Sequence, residues 1–419
     1  MAESNDTEGP LSHPNFRSMA IGRGITTIGN GIAPIALAFA VLDITGSPTK
    51  LGLVVGARSL ANAAMMLLGG VLADRVRRAL LLQGSSYAAA ATQLAVGVGL
   101  LAGVTSLPFL MLMSALNGIF AAVSVPATSA LVSQTVPVSL LRQANAIFRM
   151  FTNSALVIGA AAGGIIAAVA GPPWGIVVDA LTFALAGAIF SRVRVSEVPK
   201  AAGKRSVLTD LKQGWSEFIS HRWLWIVVLQ STVWQVVWAG SIQVLGPTIA
   251  DESIGKREWG FVLATQALGT IAGGYLALKW QPRKALAFGV VMTGLSALLP
   301  LGLAISPELA YLLPIALLVG MAMEQIGVAG STAMQENIPS DRLARVFSYQ
   351  LLGATAAVPF GQLLAGPLAM AFGGEEILLC ASAIIVASTL ASVSSRSVRS
   401  LERRVPDRPS PVAPVKPTK

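Results

Sequence analysis

Twelve apolar stretches follow one another along the chain, at roughly 18–43, 51–73, 79–103, 107–132, 145–171, 174–192, 223–249, 259–279, 285–305, 309–333, 345–371 and 375–394. Each approaches or exceeds the ~20 apolar residues that a helix needs to cross a bilayer. Of the 419 residues, 54% are hydrophobic and 12% charged, against roughly 25% charged in soluble proteins. A soluble fold would need an apolar core larger than one domain can enclose. The sequence predicts an all-α membrane protein with twelve transmembrane helices in the lipid bilayer.

The net charge of +10 could suggest nucleic acid, but its distribution argues otherwise. With the N-terminus inside, the outer loops hold only Lys50, Lys256 and Arg257, while Arg23, Arg58 and Arg149 fall within spans. Every other cation then faces the cytoplasm. This positive-inside asymmetry predicts that both termini are cytoplasmic, in a multi-pass protein of the cell inner (plasma) membrane. Cys380 is the single cysteine, so no intrachain disulfide can form. His13 and His221 are too few and too distant for a metal site, and no cofactor is expected. The first sixteen residues lack a basic n-region, so no cleaved signal peptide is expected.

Two features divide the chain. The interval from about Arg194 to Arg222 is the longest polar stretch between spans. Its amphipathic portion, Leu208 to Trp215, is expected on the inner leaflet surface, with Trp215 at headgroup depth. The second feature is an internal repeat. Gly69-Gly70 recur as Gly273-Gly274, Pro137 recurs as Pro339, and Gly159 and Gly164 recur as Gly361 and Gly366, all at nearly one offset. The expected organisation is a cytoplasmic tail over 1–17, a six-helix bundle over 18–193 and a linker over 194–222. A second six-helix bundle follows over 223–395, then a disordered, basic, Pro-rich tail over 396–419. Parallel halves of this kind place substrate near the midplane between them.

The segment Gly69-Gly70-Val71-Leu72-Ala73-Asp74-Arg75-Val76-Arg77-Arg78 lies between the second and third spans. Its paired glycines allow close helix contact. Asp74 closes the helix where backbone carbonyls disfavour a carboxylate, so arginines or the N-terminus of another helix must compensate. The segment resembles the signature loop of the major facilitator superfamily, and the resemblance extends over about residues 14–396. It implies that Asp74 is a gate latch joining the two halves near the start of span eleven, with Arg75 and Arg78 as its local partners. The alternative is a capping acid with topology-setting arginines and no switching role. In the second copy Leu278 takes the place of Asp74, so the acid exists in the first half alone.

Within that superfamily the chain resembles bacterial exporters of macrolides and siderophores. The run Ile32 to Asp43 with Thr45-Gly46-Ser47, and the run Pro339 to Val346, carry this likeness. Span five reads Gly159-Ala160-Ala161-Ala162-Gly163-Gly164 and resembles the antiporter motif of drug exporters, with Ala160 where proline is usual. Physically, Gly159, Gly163 and Gly164 are helix-packing residues that let backbones approach, and that role alone also accounts for them. Many relatives carry acids where this chain has Asn30 and Gln350. Neither can titrate, which leaves proton coupling to other residues.

Ionisable groups within spans are functional candidates because hydrocarbon makes them costly. Glu324 lies about nine residues, or roughly 13 Å at helical rise, inside span ten. It is the first candidate for proton coupling, and Asp179 the second, although Asp179 also suits a contact near the outer face. Arg58 is placed to pair with Asp43 or Asp179, and Arg23 and Arg149 can snorkel. Polar residues at helical spacing mark faces turned inward. Asn30 on span one, Arg149 and Asn153 on span five, and Gln230, Trp234 and Trp238 on span seven are candidates for a substrate cavity, together with Gln325. Ordinary interhelical hydrogen bonding is the other account of such stripes.

No nucleophile–base pair, metal cluster or phosphate loop is present in the sequence, so an enzyme is not expected. The leading expectation is a monomeric, proton-driven antiporter. It would export small amphipathic molecules, such as antibiotics or secondary metabolites, by alternating access. The alternative is an importer or facilitator of a neutral or anionic small solute.

Overall fold

The computed structural model describes residues 9–73, 78–194, 215–280 and 282–402. Among these residues the chain is helical and contains no strand. The first six long helices are α1 (Pro14–Thr45), α2 (Pro48–Ala73), α3 (Arg78–Leu101), α4 (Leu107–Thr135), α5 (Leu141–Val169) and α6 (Pro172–Phe190). A helical segment over 215–220 precedes α7 (Arg222–Glu252), which contains a π turn at Ser241–Leu245. Then come α8 (Lys256–Lys279), α9 (Ala285–Ile305, with a 3-10 turn at Leu295–Ala297), α10 (Leu309–Asn337), α11 (Ser340–Phe372) and α12 (Gly374–Ser394). Ten of these helices are long and apolar enough to cross a membrane.

Local sequence explains where the helices start and stop. Pro14 and Pro172 open α1 and α6, where the missing N–H costs nothing and φ is already helical. Gly171 (φ +94) joins α5 to α6, and Gly373 (φ +98) joins α11 to α12. A side chain is strained at such angles, so these sharp reversals need glycine. The two glycines stand at equivalent places in the repeat that relates Gly159 and Gly164 to Gly361 and Gly366.

Packing follows the same repeat. α1 packs on α5 and α6, α2 on α4, and α3 on α4 and α6; α7 packs on α11 and α12, α8 on α10, and α9 on α10 and α12. Two further pairs, α5 with α8 and α2 with α11, join the first set of helices to the second. Large apolar side chains such as Leu60, Val98, Leu112, Leu181, Phe360 and Leu390 are exposed. In a bilayer these meet lipid, where only fully hydrogen-bonded backbone such as helix is tolerated.

The C-terminal segment corrects one expectation. Disorder from residue 396 does not hold for its described part, which forms the short helix α13 (Arg396–Arg399). Val398 is fully buried in a cluster with Trp223, Leu224 and Val290. This apolar residue has a hydrophobic seat, which the basic composition around it conceals.

Candidate translocation site

Two ionisable residues singled out from the sequence, one on α5 and one on α10, are brought together by the fold. Arg149 on α5 and Glu324 on α10 form an ion pair of 3.9 Å. The arginine side chain is 76% exposed and the carboxylate 24%. At this separation the attraction is about 1 kcal/mol in water and about 4 kcal/mol at an effective dielectric of 20. The exposed arginine puts the pair near the lower end, about 0–1 kcal/mol once side-chain ordering is counted. Such a link is weak enough to be broken by a proton or a ligand. Gly274 on α8 leaves room beside it: a β-carbon there would lie 3.7 Å from Glu324 Cγ. Asn153, one turn from Arg149, is also exposed.

Asp179 is in a different setting. It is fully buried on α6, and Gln93 Nε2 of α3 donates to its Oδ2 at 2.5 Å. Arg58 of α2 lies within Coulombic reach. Its other oxygen, Oδ1, accepts no hydrogen bond of normal geometry; the nearby Thr182 hydroxyl donates instead to the Asp179 backbone carbonyl at 2.7 Å. The carboxylate occupies the space that a side chain at Gly29 would need. A buried acceptor without a full hydrogen-bond complement is costly. Gln93 was not among the residues singled out from the sequence; its position on an apolar span was the available signal.

The other cavity candidates divide. Asn30 is half-buried on α1. Gln230 is buried and donates to Thr389 Oγ1 of α12 at 3.3 Å. Trp234 Nε1 donates to Ser296 Oγ of α9 at 2.7 Å, and its ring stacks on Trp238 at 5.3 Å. Gln325 Nε2 donates to the Gly273 carbonyl of α8 at 2.7 Å. These four are engaged in contacts among α7 to α12, so their polarity is already accounted for.

One end of the helix array is tightly joined. Gly164 of α5 and Gly260 of α8 meet backbone to backbone, and a β-carbon on Gly164 would lie 2.7 Å from Gly260 Cα. Gly366 of α11 meets Thr49 of α2 in the same manner. Gly159 packs on Ile28 and Gly31 of α1, while its repeat partner Gly361 packs on Val236 and Gly240 of α7. Gly163 faces Ile32, with a β-carbon position 3.0 Å from its Cα. At this same end Lys256 Nζ lies 2.5 Å from Asp43 Oδ1, so the C-terminus of α1 is tied to the N-terminus of α8. Arg58 thus loses Asp43 as a partner, and Lys256 is the cation the sequence reading left unassigned.

At the opposite end, the expected gate residues Asp74 and Arg75 lie outside the described residues. Gly69 and Gly70 fall in the last turns of α2, and Arg78 opens α3; their side-chain surroundings are outside the described set too. The helical segment 215–220, just before α7, is held to α11. Glu217 Oε2 accepts from Arg342 Nη1 at 2.5 Å, and Oε1 meets His221 Nε2 at 3.1 Å. Arg342, and then His221, hold the Glu217 carboxyl below its ordinary range. Trp215 stacks on Phe218 at 5.6 Å and meets Tyr349 edge-on at the same distance, so its ring packs on protein.

The Major Facilitator Superfamily profile matches residues 19–348. The chain is 26% identical over 397 residues to the "Multidrug efflux pump Tap" of Mycolicibacterium fortuitum, covering 90% of this chain and 94% of that protein. It is 25% identical over 276 residues to the "Enterobactin exporter EntS" of Shigella flexneri, covering 65% of each. In fold it is similar to the crystal structure of the nucleoside transporter NupG, with a TM-score of 0.71, 13% identity, and coverage of 90% of this chain and 98% of that one. The similarity to NupG speaks for the fold alone. The profile match, the efflux relatives and the ten apolar helices agree on a multi-pass membrane transporter of small molecules. The chain belongs to the Major Facilitator Superfamily.

Proposed function

We propose that this protein is a proton-coupled exporter of small amphipathic molecules, working by alternating access in the cell inner membrane. Twelve spans, in two six-helix halves over 18–193 and 223–395, would move about a central cavity, with both termini in the cytoplasm. The repeated packing pattern and the two cross-half helix pairs support this division. Residues 194–222 link the halves, and the chain acts as a monomer.

The observation that carries the coupling is the Arg149–Glu324 pair, which spans the two halves. Protonating Glu324 removes its charge and releases Arg149, so the halves separate more readily at that depth. Deprotonation restores the link. Asp179 is the second coupling candidate, through its buried carboxylate. Asn30, Arg149 and Asn153 line the proposed substrate path. The joined end would be the outer gate, closed in this structure by Gly164 and Gly260 with Lys256 and Asp43. Asp74, Arg75 and Arg78, beside Gly69 and Gly70, would be the gate at the cytoplasmic end. The efflux relatives support the outward direction.

Fluorescent dye accumulation in cells expressing wild type, Glu324→Gln or Arg149→Gln, with and without a protonophore, tests this reading. Export predicts low accumulation in wild type that rises when the gradient collapses, and high accumulation in Glu324→Gln throughout. Gradient-independent flux would replace coupled export with a facilitator. The exposed Arg149 would then bind an anionic solute, which is the second reading that this geometry favours.

A further inference from the structure

A groove of about 590 Å³ opens between α7 and the end of α12, outside the Arg149–Glu324 region. Its mouth carries Arg222, the first residue of α7, and Arg396, the first residue of α13. Ser395 and Ser397, on either side of Arg396 in the sequence, also line the groove, with their hydroxyls 2.9 Å apart. No carboxylate lines the groove, and neither arginine has an acidic partner among the described residues. The α7 wall is largely apolar, through Ile226, Leu229 and Val233 beside Gln230, and the α12 wall is small and mixed, with Ser388, Ala391 and Ser392. From Arg222 to Gln230 is about 12 Å at helical rise.

The groove borders the core on one side of α7, since its lining residue Ile226 also packs against the buried cluster and Gln230 is buried. Trp223, Leu224 and Val227 point into the cluster shared with α9, α10 and α11. Leu229, on the groove side, is 57% exposed. In a membrane transporter such an exposed apolar wall meets lipid tails. Two unpaired guanidinium groups and two hydroxyls therefore sit at one end of a lipid-facing slot. Arginine is suited to phosphate because its planar fork donates paired hydrogen bonds.

We infer that this groove is a binding site for one anionic glycerophospholipid from the leaflet on the side of the chain termini. The phosphate of the lipid engages Arg222 and Arg396, its glycerol and headgroup oxygens meet Ser395 and Ser397, and an acyl chain lies along Ile226 and Leu229. The charge balance selects the lipid: the groove offers two cations and no acid to a zwitterionic headgroup's ammonium.

The test uses the full chain purified in detergent, with retained lipid read by native mass spectrometry and stability read by thermal unfolding. Dioleoyl phosphatidylglycerol, dioleoyl phosphatidylcholine and inorganic phosphate are added separately. Wild type should retain phosphatidylglycerol and gain stability from it, and respond little to the other two. The double variant Arg222→Gln/Arg396→Gln should bind phosphatidylglycerol about thirtyfold more weakly, since each surface cation contributes about 1 kcal/mol toward an anionic lipid and about 1.4 kcal/mol is tenfold. Leu229→Trp, which fills the apolar part with both arginines intact, should also weaken retention. Undiminished retention in the double variant would overturn the site. So would equal retention of phosphatidylcholine, or a response to phosphate alone equal to that with lipid.

Discussion

Lys256, at the first position of α8, reaches back to Asp43 near the end of α1, with Nζ 2.5 Å from Oδ1. Asp251 adds a longer contact at 3.9 Å, and the ammonium also lies 5.5 Å from the centre of the Phe39 ring. The pair is partly exposed, at 22% for lysine and 39% for aspartate. It is the direct charge link at the joined end of the array, and it sits beside the Gly164–Gly260 contact.

Breaking that link should loosen this end without unfolding the protein. Lys256→Gln or Asp43→Asn is expected to cost about 0.2–1 kcal/mol, a shift of up to about fivefold toward the state open at this end. Labelling of a cysteine introduced at this end, in a Cys380→Ser background, measures the shift. The charge-reversed pair Asp43→Lys/Lys256→Asp should recover most of the wild-type labelling. Equal labelling in all variants would show that the pair does not hold this end.

The glycine contact should be less forgiving. Gly164→Ala drives a β-carbon to 2.7 Å from Gly260 Cα, where only backbone can yield. Overpacking of this kind costs about 1–3 kcal/mol. Transport and thermal stability should both fall. Gly330→Ala, on α10, meets nothing within 4 Å and is expected to leave both near wild type. If Gly330→Ala were as damaging, the contact at Gly164 would not be the cause.

Around Asp179, the hydrogen bond from Gln93 is the stabilising element. Gln93→Leu removes the amide donor and leaves the carboxylate only the neighbouring Thr182 hydroxyl, at an expected cost of about 1–3 kcal/mol. Asp179→Asn removes the buried charge, so its loss of stability should be smaller. A thermal unfolding comparison decides this. A larger loss in Asp179→Asn would mean that the charge itself, opposite Arg58, carries the stability.

The seat of the segment 215–220 on α11 should depend on pH. The folded-state pKa of Glu217 is depressed, first by the hydrogen bond from Arg342 and then by His221. Its contribution is therefore present above the ordinary carboxylate pKa and lost as pH falls through the depressed value. Hydrogen exchange over residues 215–220 should rise on acidification below the usual carboxylate range. In Arg342→Gln, with that hydrogen bond gone, the onset should move to higher pH. An unchanged onset would show that Arg342 does not control the seat.

Much of the fold was legible because a bilayer demands long apolar helices, and the observed helices fall close to the twelve apolar stretches. Helix ends were less legible: Pro14 starts α1 four residues before the apolar stretch, and Ser340 starts α11 five before. Contacts between the repeats were legible only as types. Arg149 and Glu324 could each be singled out from cost in hydrocarbon, but their pairing depends on how α5 and α10 are rotated. Asp43 and Lys256 flank spans, so the sequence marked one as a candidate partner of Arg58 and the other as an outer-loop cation, without pairing them. The stripe at Gln230, Trp234 and Trp238 shows the limit of periodicity. It identifies an inward face, but a hydrogen bond to Thr389 or Ser296 satisfies that pattern as well as a cavity does.

Where α5 meets α8 and α11 meets α2, Gly164, Gly260 and Gly366 bring backbone directly against backbone. Interlocked side chains would have to change rotamer before such surfaces could part. At these glycine contacts there is no side chain to disengage. On the proposed alternating-access reading, polar ties such as Asp43 with Lys256 would then be what has to be undone before this end opens.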